Sequence, residues 1–184
     1  MPARAALAGA ALTLLAGAAC TGGGSDTTSG TQRFVAGDGV VHVVAAGARK
    51  PAPALAGEDL DGKPLAVSGG PAVINIWGSW CAPCKAEQPA LERVARATRS
   101  RGVRFVGINI RDSGRTAPQR HVRRFGVTYP SLYDPSARLL PRFAIAPKTI
   151  PSTYVVDAQG RIAAYVYGAV EEKPLADLIE RVLG

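Results

Sequence analysis

The sequence predicts an α/β fold: a central mixed β-sheet flanked by helices on both faces, with a β-hairpin extension at its N-terminal side. Three observations carry this. Apolar runs of strand length at 71–77 and 103–110 alternate with amphipathic stretches of helix length. The alternation closes on two extended runs joined by a turn at Ala158-Gln159-Gly160, then a last amphipathic stretch. Finally, 184 residues of which 47% are hydrophobic can bury one ordinary core but are short for two. The order strand, helix, strand, helix, hairpin, helix combines crossover connections with an antiparallel pair, which is the description of a mixed sheet.

The first twenty residues, MPARAALAGAALTLLAGAAC, place Arg4 before an apolar run too short to span a bilayer comfortably. They read as an export signal, 1–20. The run ends on Cys20 and resembles a bacterial lipoprotein signal, in which the cysteine becomes the acylated first residue of the mature chain. Gly17 stands where that pattern has Leu, Val or Ile, so cleavage near Ala16–Ala18 and simple secretion is the alternative. Residues 21–32 have the Gly/Ser/Thr composition of a flexible linker, and 33–184 form the globular domain. Either route of export places it outside the cytoplasm, where disulfides persist.

Within the domain, a turn at Gly37-Asp38-Gly39 followed by Val40, Val41, Val43 and Val44 reads as a hairpin-like entry. Asp61-Gly62 marks a second tight turn between short extended pieces. PAVINIW, 71–77, is a strand buried on both faces. From Pro83, Leu91, Val94, Ala95 and Thr98 recur at helical spacing up to Gly102, with Pro89 expected to kink the helix. VRFVGINI, 103–110, is the next buried strand, and 116–126 a second helix with Gly126 past its end. The prolines at 135, 141 and 147 break the next segment into a short helix and a loop. PSTYVVDAQGRIAAYVYG is the antiparallel pair, and Leu175, Leu178, Ile179 and Val182 line one face of the closing helix.

The net charge of +8 is interleaved with acids, as with Arg93, Arg96, Arg99 and Arg101 near Glu87 and Glu92. No run pairs dense Lys/Arg with stacking aromatics, so a nucleic-acid partner is not expected. A basic surface also suits the face of an anionic membrane.

Two of the three cysteines, Cys81 and Cys84, sit at the start of the first helix. Cys81 falls at the cap, where unpaired backbone N–H groups and the helix dipole favour a thiolate and lower its pKa. Cys84, about one turn on, is placed to attack a mixed disulfide formed at Cys81. Pro83 suits the first turn, where its missing N–H is least needed. A zinc site wants four ligands, and the other candidates, His42 and His121, are far apart in sequence and read as surface or satisfied histidines. No metal is expected. A purely structural bridge closing so short a loop adds little stability. Redox chemistry is the favoured reading.

The strand leading into Trp80-Cys81-Ala82-Pro83-Cys84, with Pro89 five residues on, resembles a thioredoxin-fold oxidoreductase, and TIPSTYVVD resembles that family's cis-proline loop at Ile150-Pro151. Together with LDGKPL, WGSWCAPCKAEQPAL and GVTYPSLYD, the match narrows to the TlpA-like and ResA-like membrane-tethered disulfide reductases. The resemblance implies a catalytic Cys81 and Cys84, a Pro151 loop that aligns the substrate backbone, and substrate contacts at Trp80, Ala82, Pro83 and Ile150. Trp80 reads equally as a packing residue, while Trp77 reads as core. Glu87 matches an acid that tunes the cysteine pair in ResA-like members; it reads equally as support for the helix dipole. The resemblance further implies protein disulfides as substrates, apocytochrome c among those of some members, a membrane thiol carrier as electron donor, a membrane-anchored monomer and no cofactor.

Two rivals belong to other classes. A copper chaperone on the same fold usually spaces its cysteines by three residues and adds a downstream His, whereas here the spacing is two and His121 falls in a predicted helix. A thiol peroxidase carries Pro and Thr/Ser ahead of its cysteine, where this chain has Trp77, Gly78, Ser79 and Trp80.

Overall fold

The computed structural model describes residues 39–183 and Met1. The chain divides into Met1–Gln32 and Arg33–Gly184, and every described residue except Met1 belongs to the second unit. The export signal, Cys20, the linker and two residues of the entry turn, Gly37 and Asp38, lie outside the described residues.

In chain order the strands are β1 (Val41–Val43), β2 (Leu55–Glu58), β3 (Pro64–Val67), β4 (Ala72–Trp77), β5 (Arg104–Ile110), β6 (Ser131–Asp134), β7 (Ser152–Val156) and β8 (Ile162–Tyr167). The α-helices are α1 (Ala82–Thr98), α2 (Thr116–Phe125) and α3 (Glu172–Leu183). Among the described residues, six strands form one sheet in the order β1-β8-β7-β4-β5-β6, with β2 and β3 a separate antiparallel hairpin. β4, β5 and β6 are parallel neighbours, while β7 and β8 run antiparallel to theirs. The predicted mixed sheet is the one observed.

Alternation along the buried strands divides the core into two layers. On one face Val73, Phe105, Val155, Ala164 and Val166 pack under Leu91 and Val94 of α1 and Leu175, Leu178 and Ile179 of α3. On the other, Ile74, Ile76, Val106, Ile108, Ile110, Tyr154 and Val156 meet Leu55 and Leu60 of the hairpin region and Leu139 and Phe143, which flank a short 3-10 helix at Leu140–Arg142. α1 runs unbroken through Pro89. It closes through a 3-10 turn, Arg99–Arg101, onto Gly102, whose φ of 77° is left-handed.

Val41 and Val43 belong to β1, a three-residue edge strand on β8, registered Val41↔Val166 and Val43↔Ala164; the part of the expected entry turn ahead of Gly39 lies outside the described residues. Among the described residues the N-terminal hairpin is β2–β3, closed through the Asp59–Lys63 turn, where Asp59 Oδ1 accepts from the backbone of Asp61 and Lys63. One detail differs from expectation: β6, a strand the sequence pattern does not mark. Pro130 precedes it and it is only four residues long, too little apolar pattern to identify as a strand.

Candidate active site

The sheet register brings four connections to one end. β4 leaves the sheet at Trp77, paired with Asn109 of β5. β7 enters it at Ser152, paired with Ile76 on one side and Tyr167 of β8 on the other. The Gly78–Cys81 loop, the Arg111-Asp112 turn, the Ile150-Pro151 approach and the Gly168–Val170 exit therefore share this end of the sheet.

Cys81 is the N-cap of α1, with extended backbone (φ −80°, ψ 113°), and Pro83 lies in the first turn. Cys81 and Cys84 form a disulfide, and Cys81 Sγ accepts from the Cys84 backbone N–H at 3.2 Å. Any negative charge that develops on this sulfur meets the donors at the helix start. Both sulfur-bearing residues are buried, Cys84 at 1% and Cys81 at 4% exposed. The rim is Trp80, 38% exposed, with the exposed Ala82 and Pro83. The Ile150–Pro151 peptide bond is cis. Pro151 O accepts from Gly168 N–H at 2.9 Å, and Ser152 Oγ donates to Thr149 O at 2.6 Å, which ties the loop to β8 and to itself.

Glu87 lies three residues beyond Cys84, on the same side of the helix, and is 2% exposed. Asn75 Nδ2 donates to its Oε1 at 2.8 Å and Val170 N–H to its Oε2 at 3.0 Å. Burial outweighs these two hydrogen bonds and pushes its pKa from 4.5 up to about 8. Asn75 also donates to Thr153 Oγ1 at 3.1 Å, and its own carbonyl oxygen has no partner among the described residues.

Sequence reasoning missed the residues that hold the loop ahead of Cys81. Asp112, 5% exposed, accepts from Ser79 N–H at 2.9 Å and from Ser79 Oγ, and Asn109 Nδ2 donates to it at 2.7 Å. Tyr133 OH donates to the Asp112 carbonyl at 3.0 Å. The available signal was polar: Asn75 and Asn109 interrupt otherwise apolar strands, and buried amides need partners.

The histidines are apart from each other. His42 stacks on Tyr165 with ring centroids 4.7 Å apart. His121 is buried against Trp77 at 4.6 Å, and its Nε2 meets Gln88 Oε1 at 3.2 Å. Burial, then the charge of Lys85, lowers the His121 pKa to about 4. Trp77 is core, its Nε1 donating to Ser131 Oγ at 3.2 Å. Among the described residues no group of three or more His, Cys, Asp or Glu side chains is arranged to hold a metal.

A cysteine pair capping the helix that follows a central strand, level with a cis-proline on the neighbouring strand, defines a thiol-disulfide oxidoreductase of the thioredoxin fold. The Redoxin family profile matches residues 45–179, and the chain belongs to that family. It is 28% identical over 134 residues to the thiol-disulfide oxidoreductase ResA of Bacillus subtilis, covering 71% of this chain and 73% of that protein. Among solved structures, a DsbF homologue from Corynebacterium diphtheriae superposes with a TM-score of 0.72 at 31% identity, over 83% of this chain and 99% of the other. A secreted thiol-disulfide isomerase from Corynebacterium glutamicum gives a TM-score of 0.72 at 29% identity, over 83% and 97%.

Proposed function

We propose that the protein reduces disulfides of other proteins outside the cytoplasm. In this cycle the Cys81 thiolate attacks one sulfur of a substrate disulfide, forming a mixed disulfide and releasing the other substrate sulfur as a thiolate. Cys84, deprotonated, then attacks Cys81 Sγ. The second substrate thiolate leaves, and the Cys81–Cys84 disulfide carries away the two electrons' worth of oxidation. An external dithiol, in this reading a membrane thiol carrier, reduces the pair again. Glu87, the buried acid nearest in sequence to Cys84, handles the Cys84 proton, and the backbone at Ile150-Pro151 aligns the substrate strand between the rim residues Trp80, Ala82 and Pro83. The single observation that carries the reading is Cys81 as N-cap of α1, bonded to the more buried Cys84.

The domain in this reading is residues 33–184, held by a lipid on Cys20 through the linker at 21–32, and working as a monomer. The ResA-like resemblance makes the haem-site disulfide of an apocytochrome c the substrate to test first. Relatives named as an isomerase and as a DsbF homologue make direction the point to measure. Equilibration of the Cys81/Cys84 pair in a dithiothreitol or glutathione buffer is expected to give a potential near that of thioredoxin, about −270 mV. A value near about −120 mV would mean a disulfide donor instead.

A further inference from the structure

A cavity of about 240 Å³ is lined by Ser79, Lys85, Ala117, Arg120, His121, Arg124 and Phe125. Ser79 lies two residues before Cys81 and Lys85 directly after Cys84, so the cavity adjoins both sides of the redox pair in sequence. Arg120 and Arg124 stand one turn apart on the same face of α2. Lys85, Arg120 and Arg124 are exposed, and none takes part in an ion pair among the described residues. No carboxylate lines the cavity. The acid behind it, Asp112, has both oxygens engaged by Ser79 and Asn109. The charges of Lys85 and Arg124 reach the His121 ring, opposed there by that of Asp112. The volume lies below the roughly 300–1,000 Å³ of sites for whole small ligands; it suits one or two side chains.

We propose that this cavity receives an acidic side chain of the protein whose disulfide is exchanged, and so selects substrates carrying Asp or Glu close to the reacting cysteine. The proposal rests on the reductase reading. Three cations around a recess, against the single carboxylate of Asp112 behind it, steer an acidic segment toward the redox pair and hold it in register, an effect felt chiefly in the association step.

The test uses the reduced full-length protein and two disulfide-looped peptides that differ only in a Glu or a Gln three residues from one cysteine. The expected kcat/KM is about tenfold higher for the Glu peptide at low salt, falling toward ~2-fold at 0.5 M chloride as charges are screened. R120Q/R124Q brings the ratio close to one, and R124E shifts preference toward a Lys peptide. Equal rates for the Glu and Gln peptides with the unsubstituted protein, or a preference that survives R120Q/R124Q, would overturn the proposal. If inorganic phosphate slows both peptides alike at matched ionic strength, the cavity takes a free anion and the substrate assignment falls. If neither peptide is reduced, the reductase reading fails, and this proposal with it.

Discussion

Glu87 and Asp157 are equally withdrawn from solvent, 2% and 1% exposed, yet their proton affinities move in opposite directions. Glu87 sits toward the Cys81 end of the sheet and receives only an amide side chain and a backbone N–H. Burial dominates, and the carboxyl stays protonated to about pH 8. Asp157 follows β7 at the far end. Its Oδ1 accepts from the backbone of Gln159 and Arg161 at 3.0 and 2.8 Å, and its Oδ2 from Arg49 Nη1 and Arg161 Nε, each at 3.0 Å. Burial raises its pKa too, but the Arg161 backbone donor and the two guanidinium groups outweigh that and hold it below 3.8. Two things differ: Glu87 is packed more deeply among protein atoms, and Asp157 has cations; together they make Asp157 a fixed charge that ties Arg49 and Arg161 to the turn and Glu87 a group that can trade a proton near neutrality.

The largest expected effects are at the Asp157 end. Asp157→Ala strands the guanidinium groups and the turn donors, and should cost about 3 kcal/mol in urea unfolding, the low end of the range because Arg49 and Arg161 are partly solvated. The wild-type contribution is present above pH 3.8 and lost as the pH falls through the folded-state value. Gly70→Ala tests the same corner by shape. Its Cβ would lie 1.8 Å from the Asp157 carbonyl oxygen, a backbone atom with no rotamer to yield, and about 3 kcal/mol is expected here as well. Neither change should alter the exchange rate per folded molecule. A slowed rate would break the division between a structural and a reactive end.

Glu87→Gln should do the reverse. Because the folded-state pKa lies above the ordinary 4.5, the wild-type carboxyl favours folding at low pH, and that contribution is lost as the pH rises through about 8. His121, with a folded pKa of about 4, runs the opposite way between about 4 and 6.5, so the Glu87 slope stands clear from about 6.5 to 8. The glutamine variant should lie nearest the wild type at low pH and gain stability on it steadily as the pH rises to about 8. Parallel stability curves would show that Glu87 ionises normally. In kinetics, release of the second substrate thiol, which needs the Cys84 proton removed, should slow about tenfold and lose its inflection near pH 8. Rapid-mixing of the reduced protein with a mixed-disulfide reporter separates that step from the initial attack.

How much of this was legible in the sequence depends on the same physics. β4, β5, β7 and β8 could be read because burial on both faces demands a largely apolar run, and Cys81 because a cap and a helix start are local. The partner of β1 could not: its valines read as extended, but Val41 and Val43 are exposed at 38% and 50%, and β8 lies more than a hundred residues away. Asp157 read only as the residue before the Ala158-Gln159-Gly160 turn, since Arg49 reaches it across 108 positions. Asp112 was not singled out, because its grip on Ser79 spans 33 positions. Glu87 was visible as a candidate, but what raises its pKa is burial with no cation to offset it, against the smaller opposing pull of the Val170 and Asn75 donors, and all of these are products of the tertiary fold.

The smallest effect expected is at Gly78, and it sharpens the contrast with Gly70. A Cβ here would come within 2.8 Å of the Trp80 indole, a contact as forbidden as the one at Gly70 if the ring stayed in place. Trp80, however, is 38% exposed, and its side chain can rotate off the loop. Gly78→Ala should therefore change stability by less than about 1 kcal/mol while displacing the indole from the rim beside Cys81. If Trp80 touches the substrate polypeptide, kcat/KM on a protein disulfide falls a few-fold while reduction of a small aromatic disulfide, which needs only access to Cys81, is unchanged. Equal losses on both would place the fault in the Cys81 cap geometry, through the Gly78 carbonyl that accepts from Cys81 N–H at 3.1 Å, and would leave Trp80 a packing residue.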